Sequence, residues 1–214
     1  MDSFSAAVTF FQNGGLFMYP IALVLVATIA IAIERYAFLR RTEKENRVIW
    51  DNVQPLIAKG EFDGAASVVK DSETAIGRIL SNGISQSRVD PKRSEVEIAT
   101  EEGLMEVLPA IEKRTHYLAT FSNLAVLLGL LGTVIGLISA FAALGNADPT
   151  EKADLLSAGI SEAMSCTAFG LLVAIPSLML HSYLQARATA LVDGLEGVCA
   201  RFVSIVCGGT RSGS

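Results

Sequence analysis

FSNLAVLLGLLGTVIGLISAFAAL, residues 121–144, is an uncharged stretch that is long enough to cross a lipid bilayer. Successive residues of a helix lie about 100° apart, which places the small side chains on one arc and the large aliphatic ones on the rest. The small arc contains Ala125, Gly129, Gly132, Thr133, Gly136, Ala140 and Ala143. Sorting by size within an apolar background is typical of membrane helices that pack closely. Thr133, the hydroxyl at mid-depth on this arc, is therefore predicted to face protein or a pore and not lipid.

The composition of the whole chain also indicates an integral membrane protein. Hydrophobic residues make up 51% of the 214 residues, charged residues make up 18%, and the mean hydropathy is +0.45. Two further runs, Leu16–Ile33 and Leu155–Leu180, are long enough to span a bilayer, the second interrupted only by Glu162. The predicted fold is an all-α integral membrane protein with three transmembrane helices, two of which extend into a cytoplasmic helical domain.

The orientation follows from the lysines and arginines, which are enriched on the cytoplasmic side of membrane proteins. The segment before the first span has no basic residue, and the connector between the second and third spans has only Lys152. Basic residues otherwise cluster beside the opposite span ends, at Arg35, Arg40, Arg41, Lys44, Arg47, Lys113, Arg114, Arg187 and Arg201. We predict a periplasmic N-terminus and a cytoplasmic C-terminus.

Seven segments follow from these spans. They are an outer N-terminal segment (1–15), which is either a short interfacial helix or a frayed terminus, a first transmembrane helix (16–38), a cytoplasmic helical domain (39–117), a second transmembrane helix (118–145), a short periplasmic loop (146–153), a third transmembrane helix (154–187) and a cytoplasmic C-terminal tail (188–214). Turn signals lie at Lys59-Gly60 and at 71–73.

Helix signals also predict how the cytoplasmic segments join the spans. Asp90-Pro91 is predicted to start a helix, with Asp90 as its cap. This helix is predicted to bend at Pro109 and to continue through Lys113 and Arg114 into the second span. The third span has no firm stop signal until about Gly194.

The third span repeats the sorting by size. Its small arc includes Gly159, Ala163, Cys166 and Gly170 and is flanked by Thr167 on one edge and Glu162 on the other. Glu162 lies about 10 Å inside the outer end, where a carboxylate is costly unless it is protonated, paired or wetted. The residue therefore has either a functional role or a role in helix packing at the interface. Pro176 is predicted to kink the helix below Thr167.

Two motifs, GLLGTVIGLISAF at 129–141 and GISEAMSCTAFGLLVAIPS at 159–177, resemble the paired signatures of the ExbB/TolQ/MotA proton-channel family and are closest to its ExbB/TolQ branch. Cys166, Phe169 and His181-Ser182 depart from the commoner pattern of that branch. The resemblance implies a bacterial inner-membrane homopentamer that surrounds a smaller ExbD- or TolR-like single-span partner with a membrane aspartate, together with a TonB- or TolA-like protein.

The same resemblance assigns roles to individual residues. Thr133 and Thr167 are implied to face the partner's aspartate, and Glu162 matches the family's glutamate on the third span. Helix-packing and pore-lining positions are Gly129, Gly132, Gly136, Gly159, Ala163 and Gly170.

Three functional hypotheses remain open from the sequence. The first is a proton-driven stator subunit that powers a periplasm-spanning partner of the TonB, Tol or gliding type. The alternatives are a passive membrane scaffold that only packs helices and a sodium-driven stator. An enzyme, a metal site and a cofactor are not predicted, because nucleotide loops, nucleophile elbows and metal-spaced His/Cys clusters are missing from the sequence. A net charge of −5 argues against nucleic-acid binding.

Overall fold

The structure, a computed structural model, describes residues 15–70, 72–145 and 148–208. Its helices are α1 (Met18–Ala58), α2 (Phe62–Lys70), α3 (Ala75–Val89), α4 (Arg93–Glu112), α5 (Thr115–Leu144) and α6 (Lys152–Gly208). These described residues contain no strand. Three segments are long and apolar enough to cross a membrane, namely α1, α4 together with α5, and α6. The predicted all-α membrane fold is confirmed.

The chain divides into two compact units. The first unit consists of Met1–Ile33 and Arg114–Tyr183 and includes α5 with the adjoining parts of α1 and α6. Its core is formed by Ile21, Val24, Ala125, Cys166, Val173 and Ala174. Large aliphatic side chains of α5 lie on the outside, since Leu127 and Ile138 are each 62% exposed whereas Ala125 is fully buried. Size therefore separates the inner face of α5 from its outer face.

The second unit consists of Glu34–Lys113 and Leu184–Ser214. Its largest fully buried side chain is Phe202 of α6, whose ring lies against Gly83 of α3, where a Cβ atom would overlap it. Thr74 caps α3 by accepting a hydrogen bond from the Gly77 amide at 3.1 Å. An apolar core and a capped helix therefore give this unit its own stability.

The predicted turn at Lys59-Gly60 agrees with the structure, and residues 72–74, at the second predicted turn, also lie between two helices. The predicted helix start at Asp90 differs from the structure. Helix α1 ends before Lys59-Gly60, where Gly60 has a φ of +75° that an L side chain rarely adopts. The prediction that Asp90 caps α4 is wrong: Lys92 is the N-cap residue. Asp90 Oδ1 instead accepts a hydrogen bond from the Lys92 amide at 3.2 Å. The Asp90 side chain is therefore part of a local turn, and α4 begins at Arg93 instead of at Pro91.

The prediction of an unbroken helix through Pro109, Lys113 and Arg114 is also wrong. Pro109 lies inside α4, and the break comes at Arg114, which has a left-handed φ of 66°. In an unbroken helix the carbonyls of Ala110 and Ile111 would accept hydrogen bonds from the amides four residues later. Both carbonyls instead accept hydrogen bonds from the guanidinium of Arg35. Arg35 therefore supplies the hydrogen bonds that cap the C-terminal end of α4, where a positive charge is also favourable.

Helix α6 is longer than predicted. It passes Gly194 and continues to Gly208, so the segment expected as a C-terminal tail from residue 188 is helical as far as residue 208. Leu195, Phe202 and Val206 are buried along it, and this burial outweighs the weak helix propensity of glycine. The predicted N-terminal segment, apart from Gly15, and the last residues, 209–214, lie outside the described residues.

Candidate ion-pathway site

The small faces of α5 and α6 pack against each other within the first unit. A Cβ atom built on Gly129 would lie 3.2 Å from Thr167 Cα, and one built on Gly170 would lie 2.7 Å from the carbonyl oxygen of Ala125. The two helix backbones are therefore nearly in contact. Further pairs along the same contact, here called the α5–α6 seam, are Gly132 with Cys166, Gly136 with Ala163, and Gly159 with Ala140.

Among the described residues three side-chain hydrogen bonds connect α6 and α5. One joins His181 Nδ1 to the carbonyl oxygen of Thr115 at 3.0 Å, and the other two cross the α5–α6 seam. Thr167 Oγ1 donates to the carbonyl oxygen of Gly129 at 2.9 Å, and Ser122 Oγ donates to that of Ala174 at 2.8 Å. Both connect α6 to α5 through a backbone carbonyl, which is possible because the facing residues are small. Ser122 was missed by the sequence analysis. Its spacing of three residues before Ala125, on the small arc, is the signal that could have found it.

Thr133 lies one turn beyond Gly129 on α5 and is partly exposed. Its Oγ1 donates to the carbonyl oxygen of Leu130 at 2.6 Å, which is a bond within its own helix. The hydroxyl proton is thus occupied while the oxygen lone pairs remain able to accept a hydrogen bond. Thr133 can therefore receive a proton donor, such as water or a protonated carboxyl group, from outside the subunit.

Glu162 is exposed at its position on α6, and its carboxylate lies directly against Gly15. Any Cβ atom at Gly15 would overlap the carboxylate, and the φ of +71° there also favours glycine. A cavity of about 180 Å³ adjoins the carboxylate, with Ser139 and the seam glycines Gly132 and Gly136 in its wall. This volume is enough for several water molecules, each of which occupies roughly 30 Å³ in the liquid.

Pro176 lies within α6 and has no amide hydrogen to donate to the preceding turn. The adjacent Ser177 is buried, and its Oγ donates to the carbonyl oxygen of Val173 at 2.6 Å. The carbonyl that loses its amide donor at Pro176 is that of Leu172, four residues earlier, so the Ser177 bond lies beside the interruption and does not replace the missing bond. Pro176 therefore interrupts the hydrogen-bond ladder without ending α6.

The arrangement brings Glu162, Gly132 and Gly136 around one cavity and places Thr167, Gly129 and Gly170 at the seam. Threonine hydroxyls donate and accept hydrogen bonds but do not titrate in the physiological range. Residues 118–145 contain no acidic, basic or histidine residue. The second span therefore supplies no titratable side chain of its own at the depth of Thr133.

Comparisons with known proteins identify the family. Residues 71–197, which include both motifs, match the MotA/TolQ/ExbB proton channel family. The chain belongs to this family. Within the family, it is 31% identical to a protein named as a biopolymer transport ExbB homolog from Methanothermobacter thermautotrophicus, with 92% of this chain and 69% of that protein covered. It is 28% identical to the Tol-Pal system protein TolQ from Haemophilus influenzae, over 83% of this chain and 81% of the relative.

A third member of the MotA/TolQ/ExbB family, the biopolymer transport protein ExbB from Aquifex aeolicus, is 32% identical over 42% of this chain and 62% of its own length. Relatives with both ExbB and TolQ names support the predicted branch. Together with the three apolar helical segments, family membership makes the chain a multi-pass membrane protein of an energy-transducing channel family.

Proposed function

We propose that this protein is the proton-channel subunit of an inner-membrane complex that couples proton-motive force to work by a periplasm-spanning partner. In this proposal several copies, five by resemblance to the family, surround the single helix of an ExbD- or TolR-like protein. A membrane aspartate on that helix binds and releases the proton. The names of the relatives support a partner of the TonB or Tol type.

The observation that carries the proposal is that the second span offers the hydroxyl of Thr133 but contains no titratable residue between positions 118 and 145. Thr133 has free acceptor capacity on a partly exposed surface, and Thr167 Oγ1 already bridges α6 to α5. Each charge that crosses the membrane gains about 2.3 kcal/mol per 100 mV, but hydroxyls alone cannot take up that proton. A carboxyl group on a partner helix would complete the path, with Thr133 to orient it and Glu162 at the outer entrance.

Large apolar side chains on α5 and α6 support an assembly in the membrane. Leu127, Ile138, Leu172 and Met179 are each more than 60% exposed in the isolated subunit. Such side chains face either lipid or neighbouring subunits in a membrane protein, whereas charged side chains there would be costly.

Proton flux into proteoliposomes tests the proposal, with the subunit co-purified with its single-span partner and flux followed by an internal pH dye. Thr133→Val and Thr167→Val should each reduce flux by at least tenfold without changing the assembled mass in native mass spectrometry. The matched control is Thr28→Val in α1, because Thr28 is a buried threonine whose Oγ1 donates only within its helix, to Val24 at 2.8 Å. Equal flux in all three variants would contradict the proposal.

A passive scaffold is the second candidate, and the close α5–α6 seam favours it because small-residue contacts also serve helix packing alone. In that case Gly132→Leu should disrupt the subunit while both threonines tolerate valine. The sodium-driven alternative is tested in the same vesicles by replacing the proton gradient with a sodium gradient. Ion flux driven by the sodium gradient would favour that alternative.

The proposed orientation places the N-terminus in the periplasm and residues 146–153 outside the cell membrane, in line with the excess of basic residues at the opposite span ends. Asp148→Cys, in a background without the native cysteines, should react with a membrane-impermeant thiol reagent added from the periplasmic side. Reaction only after the inner membrane is opened would reverse the orientation.

A further inference from the structure

A groove of about 500 Å³ lies between α4 and the C-terminal part of α6, within the second unit. Its apolar lining includes Leu104, Leu108 and Val203. Met105, which also lines it, is 67% exposed. We call it the α4–α6 groove. Its volume lies within the roughly 300–1,000 Å³ of sites for drug-sized ligands, so it has room for several side chains of another molecule.

Three carboxylates give the α4–α6 groove a net negative charge. Glu97 and Glu101 line it from α4 and Glu196 lines it from α6, whereas Arg93 is the cation among the described lining residues. None of these four takes part in an ion pair within the part of the chain that the structure describes. Burial raises the pKa of the Cys199 thiol in the groove, and the charges of Glu196 and Glu101 raise it further. The groove therefore favours a basic partner surface with an exposed apolar side chain.

A surface of that chemistry lies on α1 of the same unit. Lys44, Arg47 and Val48 are spaced three and four residues apart, which places them on one face of the helix. Both cations are exposed and Val48 is 59% exposed, whereas Asn46 and Trp50 are buried on the other side of α1. Neither Lys44 nor Arg47 forms an ion pair with another described residue. We call these three residues the α1 patch, which is accessible to another molecule.

Lipid headgroups do not account for the α1 patch. Lys44 and Arg47 follow Ile33, the last residue of the first apolar run, by 11 and 14 residues, or about 16 and 21 Å of helix. The headgroup layer extends only about 5–8 Å beyond the hydrocarbon core on each side. Both cations therefore lie at a depth where a protein, and not a lipid, is the available partner.

The α1 patch and the α4–α6 groove lie at similar distances from one border of the second unit. Helix α1 enters this unit at residue 34, α6 enters it at residue 184, and the segment with α4 leaves it at residue 113. Counted along the helices from these points, Lys44 and Arg47 lie at about 15 and 20 Å, and Glu101 and Glu196 each lie at about 18 Å. Copies in one membrane share their orientation, so neighbouring copies contact each other at equal heights. The α1 patch of one copy is therefore able to meet the groove of the next.

The order of charges along the two surfaces is also complementary. One turn beyond Arg47, α1 carries the negative charge of Asp51. The groove carries the positive charge of Arg93 beyond its carboxylates, at the end furthest from the border. Complementary patterns of this kind fix the register between two partners.

We propose that the α1 patch of one subunit docks into the α4–α6 groove of a second copy of this chain. Val48 contacts the apolar lining beside Met105, while Lys44 and Arg47 lie against the carboxylates of the groove. Because the contact joins two different surfaces, copies that share one orientation in the membrane close into a ring. The inference rests on the proposed function in that several copies form one complex, but it does not depend on ion conduction.

Native mass spectrometry over a dilution series tests the proposal, with the full-length protein in detergent, alone and with its single-span partner. Arg47→Glu and Glu101→Lys each replace attraction by repulsion. Each should raise the concentration at which half of the subunits are assembled by about fivefold or more. The double variant Arg47→Glu/Glu101→Lys restores an attractive pair with reversed charges, and its assembly should be within twofold of the unsubstituted protein.

Glu102→Lys is the matched control, since it makes the same change in charge at the neighbouring position of α4. Glu102 is exposed and does not line the α4–α6 groove. Its assembly should stay within twofold of the unsubstituted protein. Recovery of assembly in the double variant also shows that neither single substitution prevents folding.

Disulfide formation between two differently tagged copies reports the contact directly. One copy carries Val48→Cys and the other carries Met105→Cys, in a background without the native cysteines. Oxidation in membranes should link the two tags. A copy with Glu102→Cys in place of Met105→Cys should not be linked, because position 102 lies outside the groove.

The outcomes separate this contact from the proposed function. Weaker assembly of both single variants, with recovery in the double variant, supports the contact. Equal assembly of Glu101→Lys and Glu102→Lys, or no recovery in the double variant, overturns the contact and leaves the proposed function standing. An unsubstituted protein that is monomeric at every concentration overturns both. If Glu101→Lys released the single-span partner but kept the number of subunits, a second copy would be excluded as the occupant and the groove would hold a basic segment of that partner.

Discussion

Replacing Gly170 by alanine tests the close approach of α5 and α6 on which the candidate site depends. The new Cβ atom would lie 2.7 Å from the carbonyl oxygen of Ala125, about 0.7 Å closer than the 3.4 Å at which ordinary contact begins. A backbone carbonyl inside a helix cannot rotate away as a flexible side chain can. The two helices must therefore move apart.

The expected cost follows from three contributions. Overpacking of a well-packed contact costs about 1–3 kcal/mol. A separation of about 0.7 Å would also stretch the 2.9 Å bond from Thr167 to Gly129 beyond hydrogen-bonding distance, which costs about 0.6 kcal/mol in a membrane protein. The better helix propensity of alanine offsets about 1 kcal/mol. We expect Gly170→Ala to lower the free energy of unfolding by about 0.6–2.6 kcal/mol.

Reversible unfolding in mixed micelles, followed by the loss of helical circular dichroism, measures this free energy. Gly194→Ala is the matched control in the same helix, because a Cβ atom there meets nothing within 4 Å. It should stabilise the protein by about 0.5–1 kcal/mol through helix propensity alone. If Gly170→Ala proved as stable as Gly194→Ala, the backbones of α5 and α6 would not be in close contact at Gly170.

Two further predictions concern the second unit. Arg35→Leu should lower the unfolding free energy by about 1.5–3 kcal/mol, since it removes charged donors from the carbonyls of Ala110 and Ile111 at the end of α4. A value within 0.5 kcal/mol of the unsubstituted protein would contradict this role. Burial raises the pKa of the Cys199 thiol from 9.0 to about 11, so the folded state keeps a proton that the unfolded state releases between these values. The free energy of unfolding should therefore fall as pH rises from 9 to 11, and this fall should be smaller in Cys199→Ala. If the free energies of Cys199→Ala and the unsubstituted protein changed in parallel with pH, Cys199 would not be the cause.

The sequence predicted those features that depend on one helix at a time. The spans follow from apolar length, and the small arcs of α5 and α6 follow from the spacing of residues such as Gly129 and Gly170 around a helix. The glycines of both arcs lie in the α5–α6 seam, whereas Thr133 and Ala143 do not pack there. The hydrogen-bond partner of each residue depends on the register between two helices. Spacing could therefore place Ser122 on the small arc, but it could predict neither the bond from Thr167 to Gly129 nor the carbonyl of Ala174 as the acceptor for Ser122.

Features that depend on distant segments were predicted wrongly. Neither Lys113 nor Arg114 is a helix-breaking residue type, so the sequence gives no local signal for the break between α4 and α5. The break at Arg114 is explained by Arg35, which donates a hydrogen bond to the Ile111 carbonyl at the end of α4. Similarly, the glycine at position 194 suggested an end to α6, but the burial of Phe202 and Val206 extends it. Local helix signals were outweighed in both places by tertiary contacts.

The central claim is that Thr133 faces the interior of the assembled complex and not lipid. Power saturation of a spin label at Thr133→Cys tests it, in the complex with its single-span partner, reconstituted in lipid and free of the native cysteines. The control is a label at Ile138→Cys, where the native side chain is 62% exposed among the large aliphatic residues of α5. We expect the label at position 138 to be relaxed mainly by oxygen, which partitions into lipid, and the label at position 133 to be shielded from it. Equal oxygen accessibility at the two positions would contradict the account.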